Sequence, residues 1–165
     1  MGMTPQQLIV SRVLRELAGA GRVGLGQGIP QLLAAHVGDS IEIVDVAING
    51  QPLVDLSVVE AGQVSRSGGL LLAHPEDAAL LSARRCLVAT RQCDENGDPR
   101  LVDQCSRPTD CQGCVDMVVT ELGVIVLNDV GFELRELAPG VASDDVRARV
   151  NASLHVSDSI QNMVL

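Results

Sequence analysis

The stretch Arg22-Val23-Gly24-Leu25-Gly26-Gln27-Gly28-Ile29-Pro30 decides the architecture. Residues 22–25 read as a short buried strand. Glycines at alternate positions then let the chain turn tightly, and Pro30 suits the start of a helix expected over residues 30–35. Strand, glycine turn and helix in that order form one unit of an α/β fold. Such a turn also cradles anions, because backbone N–H groups at a helix start lack internal partners. Gly24, Gly26, Gln27 and Gly28 are therefore candidate ligand-binding residues. The spacing is not the dinucleotide fingerprint, and no acidic ribose-binding residue stands at the expected distance. The competing reading is that the glycines only let strand and helix pack closely.

Upstream, Thr4-Pro5-Gln6-Gln7 is a capping box with proline at the first helical position. Leu8, Ile9, Val13, Leu14 and Leu17 follow at helical spacing until Gly19 and Gly21. Downstream, residues 41–46 and 54–59 are apolar, β-branched runs of strand length, as in buried parallel strands whose two faces are covered by helices. Residues 63–72 read as a hairpin around Ser67-Gly68-Gly69. Residues 87–102 read as a second, around Asp94-Glu95-Asn96-Gly97-Asp98. Strands are expected over 115–120, 124–127 and 133–137. Ser143 is expected to cap a last helix reaching Val150, with Asp144 and Asp145 favourably placed for its dipole. The expected fold is α/β: a mainly parallel open sheet with flanking helices and added antiparallel hairpins, in one domain over residues 1–165.

Composition narrows the function. The net charge is −9 and all 12 basic residues are arginine. An acidic surface repels phosphate backbones, so no nucleic-acid partner is expected. Absence of lysine removes Schiff-base chemistry and P-loop phosphate binding. With no tyrosine or tryptophan and a single Phe132, stacking platforms for flavins or bases are also missing. No stretch approaches the ~18 uninterrupted apolar residues of a membrane helix, and no secretory signal is visible. A cytoplasmic location without a membrane partner is expected.

The glycine segment, together with Ala47-Ile48-Asn49-Gly50, resembles the beginning of the beta subunit of family I coenzyme A transferases. There the two segments read close to Asn-Leu-Gly-Ile-Gly-Ile-Pro and Ser-Glu-Asn-Gly, and the glutamate is the nucleophile. Further similarity lies in Asp98-Pro99-Arg100-Leu101-Val102, in Gln104-Cys105-Ser106-Arg107-Pro108, in the segment from Gly113 to Leu122, and in that from Leu134 to Val141. The resemblance implies a CoA-transferase-like fold, with a coenzyme A thioester as ligand and no permanently bound cofactor. It implies an alpha-type subunit or a second copy of the chain as partner.

The family pattern fails at three points. By register the family's glutamate falls on Ile48, with Asn49 and Gly50 matching its last two residues. Isoleucine offers no anion for acyl exchange, so a glutamyl-CoA intermediate cannot form there. A long family insert is reduced to Gln51-Pro52-Leu53. The Gly-Gly-Ala-Met-Asp-Leu stretch that supplies an oxyanion donor corresponds to Pro75-Glu76-Asp77-Ala78-Ala79-Leu80. Glu60, expected at the carboxyl end of the strand over 54–59, is the one spare candidate for a substitute carboxylate. Glu95-Asn96-Gly97 spells the family's tripeptide, but among acidic neighbours in a polar hairpin it reads as a turn.

The five cysteines at 86, 93, 105, 111 and 114 do not form a zinc pattern, since the lone C-x-x-C of Cys111 and Cys114 has neither a second pair nor spaced histidines. No metal site is assigned, and the role of Cys111 and Cys114 stays open between structure and redox chemistry. His36, His74 and His155 lie in unrelated segments and take structural readings. Two functional readings remain. In one, the chain is a transferase-type half that binds an acyl thioester or acid without the family's transfer step, or hydrolyses the thioester with other residues. In the other, it is a non-catalytic structural or regulatory protein that self-associates.

Overall fold

The computed structural model describes residues 2–44 and 54–165. Its first element is the helix α1, Pro5–Leu17. The Gln7 N–H donates to Thr4 Oγ1 at 3.1 Å and the Thr4 N–H donates to Gln7 Oε1 at 2.9 Å, which completes the expected capping box. One face of α1 buries Ile9, Val13 and Leu17 against Val23, Leu56, Val58 and Leu87 of the sheet. Each such side chain contributes about 1.5–3 kcal/mol. Arg12 is buried on the same helix, donating from Nε and Nη2 to both carboxylate oxygens of Glu136 at 2.9 and 2.7 Å.

The strands are β1 (Arg22–Leu25), β2 (Glu42–Ile43), β3 (Leu56–Val59), β4 (Ala61–Ser65), β5 (Leu70–Leu72), β6 (Arg85–Ala89), β7 (Leu101–Val102), β8 (Val115–Val119), β9 (Gly123–Asn128), β10 (Gly131–Leu137) and β11 (Leu154–Asn162). Eight of them form one sheet in the order β11-β10-β9-β8-β6-β3-β1-β2. Its pairs are parallel except β8–β9 and β9–β10. The other three form a small sheet, β5-β4-β7.

Strand periodicity divides the core. On β6, Leu87 and Ala89 face α1, whereas Cys86 and Val88 face Val64, Leu70 and Leu101 of the small sheet. The mainly parallel α/β sheet is as expected; α1 covers one face, and the other is covered chiefly by strands. That covering is the three-stranded sheet, with the helix α2 (Ser143–Arg147).

Two local expectations are corrected. The hairpin over 63–72 is present as β4–β5, whereas 87–102 is not a hairpin: β6 joins the large sheet and β7 pairs in parallel with β4. Only the tip of 87–102 is paired, by the antiparallel Cys93–Pro99 bridge and the Arg100 N–H to Gln92 carbonyl bond around the Asp94–Asp98 turn, because β6 is claimed on both edges by β3 and β8. At α2 the cap position is Ala142, not Ser143, and the helix stops at Arg147. Asp145 Oδ2 accepts the Ala142 N–H at 2.9 Å, the N3-to-cap half of a capping box, while alanine supplies no oxygen for the other half.

Candidate functional site

The site region lies beyond the carboxyl ends of β1 and β3, the edge where open α/β sheets place ligands. Gly24 sits within β1, and a Cβ there would come 2.5 Å from Leu80 Cδ2. It therefore serves close packing, the competing reading of the glycines. The Gly26 N–H donates to the Val58 carbonyl at 2.8 Å, which carries the β1–β3 pairing one residue further. Gly28 has φ +82°, a conformation that L side chains rarely adopt. The chain then enters a 3-10 helix over Ile29–Ala35, in place of the expected α-helix.

Two carboxylates brace this loop from outside. Asp77 Oδ2 accepts the Gln27 N–H at 3.0 Å, and Glu60 Oε2 accepts the Ile29 N–H at 2.8 Å. A Cβ on Gly28 would collide with the Glu60 carboxylate. The other Glu60 oxygen lies 3.7 Å from His74 Nε2. Glu60 follows β3 directly, as expected, and one of its two carboxylate oxygens is engaged by the loop. Asp77 stands in a second 3-10 helix, Pro75–Ser82. Burial raises its carboxyl above the ordinary range, against the opposing pull of the Gln27 N–H and of His74.

An open cleft of about 580 Å³ adjoins the loop. Leu25, Ile43, Val44 and Leu80 give it apolar walls, and Gln27, Gln31, Glu76 and Asp77 supply its polar groups. No cationic residue lines it among the described residues. Ile48, Asn49 and Gly50 lie outside the described residues, in the segment that follows Val44 of this cleft wall.

Sequence reasoning matched Glu76 and Asp77 to the family's oxyanion-donor stretch without giving either a role, and passed over Gln31. An acidic pair after Pro75 reads as ordinary helix-start chemistry. Nothing local shows that Asp77 reaches a loop fifty residues away in sequence.

The remaining candidates disperse. Glu95 is exposed in a turn where Asp94 Oδ1 accepts the N–H groups of Asn96 and Asp98 and Gly97 has φ +85°, so the tripeptide is a turn, as expected. Cys111 and Cys114 form a disulfide. Burial pushes the Cys86 thiol up to about 11 and also raises Cys93 and Cys105, so none of the three is an activated thiolate. No group of three or more metal-ligating side chains gathers among the described residues. No helix of the described residues is long and apolar enough to cross a membrane.

The fold defines a class. The chain superimposes on the acyl-CoA transferase YdiF of Escherichia coli O157:H7 with a TM-score of 0.81 at 13% identity, over 99% of this chain and 44% of that one. It also superimposes on the decarboxylase AibA/AibB with a TM-score of 0.76 at 16% identity, over 99% of this chain and 90% of that one. It has the CoA-transferase fold.

Sequence comparison then points within that class. A probable coenzyme A transferase subunit beta of Bacillus subtilis is 28% identical over 113 residues, covering 62% of this chain and 52% of that protein. The acetate CoA-transferase subunit beta of Escherichia coli K12 is 23% identical over 206 positions, covering 94% and 95%. That alignment is longer than the 165 residues of this chain, so the relative carries residues with no counterpart here. The first of these alignments spans about half of the relative's length. No family model matches the chain. The chain is thus related in sequence to CoA-transferase beta subunits.

Proposed function

We propose that this chain is a beta-type half of a CoA-transferase-fold assembly that binds an acyl thioester or its acid non-covalently beside the glycine loop. The observation that carries this is the cleft at the carboxyl ends of β1 and β2, walled by Leu25, Ile43, Val44 and Leu80. Val44 of its wall is followed in the sequence by the segment that resembles the family's nucleophile region. Ile48 at the glutamate position removes acyl exchange through that residue. Glu60 does not replace it, since its carboxylate is already held by the Ile29 N–H. The fold is compatible with other reactions, as the decarboxylase of the same fold illustrates. The partner is an alpha-type subunit or a second copy, in keeping with the beta-subunit relatives.

One observation favours the second reading, a non-catalytic protein that self-associates. The Gln27 and Ile29 N–H groups, donors that a cradling loop would offer a ligand, are taken by Asp77 and Glu60. Melting the protein with acetyl-CoA and acetoacetyl-CoA separates the two. A midpoint that rises with thioester concentration supports binding, and no shift with either supports the structural role.

A further inference from the structure

We infer that Glu76 makes the cleft selective for thioesters of uncharged acyl groups over those with a distal carboxylate. This rests on the proposal that the cleft is the thioester site and adds the substrate class. The polar lining is two glutamines and two carboxylates, Gln27, Gln31, Glu76 and Asp77, with no described cation among them. Residues 45–53, which follow Val44 in the sequence, include Asp45 and no basic residue. The apolar walls of Leu25, Ile43, Val44 and Leu80 accept an alkyl chain.

The two carboxylates have different tasks. Asp77 is buried and committed to the Gln27 N–H. Glu76 is exposed, sits in the first turn of the 3-10 helix Pro75–Ser82, and lines the cleft. Its charge is close enough to help raise the Asp77 carboxyl. A second carboxylate brought by a ligand would face the same field. One like charge at ~6 Å, in surroundings between protein and water, weakens binding about tenfold. Removing the Glu76 charge relieves that repulsion without disturbing the loop brace. Placing an arginine there adds the carboxylate partner the cleft lacks.

Butyryl-CoA and succinyl-CoA carry acyl chains of equal carbon count and differ by the distal carboxylate. Their affinities for the full chain, and for Glu76→Gln and Glu76→Arg, are measured by titration calorimetry at low salt. The expected result is about tenfold or greater preference of the unsubstituted chain for butyryl-CoA. Glu76→Gln narrows the preference several-fold and Glu76→Arg brings the two ligands to near parity, while melting midpoints confirm that both variants fold. Equal affinities in the unsubstituted chain, or a preference unchanged by either substitution, overturn the selectivity and leave thioester binding standing. Binding of neither ligand overturns both the site and its selectivity.

Discussion

Replacing Gly28 with alanine tests whether Glu60 is a brace of the loop rather than a free acid. The residue has φ +82° and ψ −136°, and holding an L side chain there costs about 1–3 kcal/mol. The new Cβ would also strike the Glu60 carboxylate and lie 3.0 Å from His74 Nε2. Moving Glu60 away breaks its 2.8 Å bond with the Ile29 N–H, a charge-assisted bond worth about 1.5–3 kcal/mol. Gly28→Ala should therefore destabilise by about 3–5 kcal/mol, and Glu60→Ala alone by about 1.5–3 kcal/mol. The double variant removes the collision and loses the bond only once, so it should resemble Gly28→Ala rather than the sum, with a coupling of about 1.5–3 kcal/mol. Urea unfolding of the four proteins measures this cycle. Additivity within about 0.5 kcal/mol, or a Gly28→Ala cost below about 1 kcal/mol, would refute the brace.

Other substitutions probe neighbouring claims. Asp77→Ala leaves the Gln27 N–H without its acceptor and should cost about 1–3 kcal/mol in denaturant melts, whereas Asp77→Asn keeps an acceptor without a buried charge and should cost less. Because folding raises the Asp77 carboxyl, the folded chain holds that proton more tightly. Its contribution to stability therefore falls as pH rises from the ordinary carboxylate range through the raised value, and this slope should vanish in Asp77→Asn. Arg12→Ala strips the half-buried Glu136 carboxylate of its bidentate partner and should cost about 3 kcal/mol, with Arg12→Lys only partly restoring the fork geometry. A thiol count on the denatured, unreduced protein should give three, from Cys86, Cys93 and Cys105, and five after reduction. Five without reduction would contradict the Cys111–Cys114 pairing.

Much of the scaffold was legible because its signals are local. The capping box at Thr4 and Gln7, the β-branched run of β3 and the Asp94–Asp98 turn each state their structure within a few residues. Expectations failed where distant partners decide. Leu101 and Val102 look like the return arm of a hairpin, yet the free edge of β4 claims them. The second face of the large sheet is covered by three short strands, since hydrophobic alternation fixes which side chains are buried but not what buries them.

The same division holds at the site. Gly24, Gly26 and Gly28 announce a tight strand-to-helix turn, and Glu60 announces an acid at a strand end. That Glu60 points into the turn, and that Asp77 arrives from a separate 3-10 helix to hold Gln27, depends on packing that local spacing does not encode. The glycines lie in a loop beside the cleft whose Gln27 and Ile29 N–H groups are held by the two carboxylates.

The central claim is non-covalent thioester binding by a chain whose acyl-exchange position holds isoleucine. It is tested by a butyryl-CoA titration read by melting midpoint, followed by intact-protein mass spectrometry of the unreduced protein. The expected result is a midpoint that climbs with ligand concentration, as stability grows by RT ln(1 + [L]/Kd), while the protein mass is unchanged. A flat midpoint, or a coenzyme A adduct on the unsubstituted chain, would contradict it.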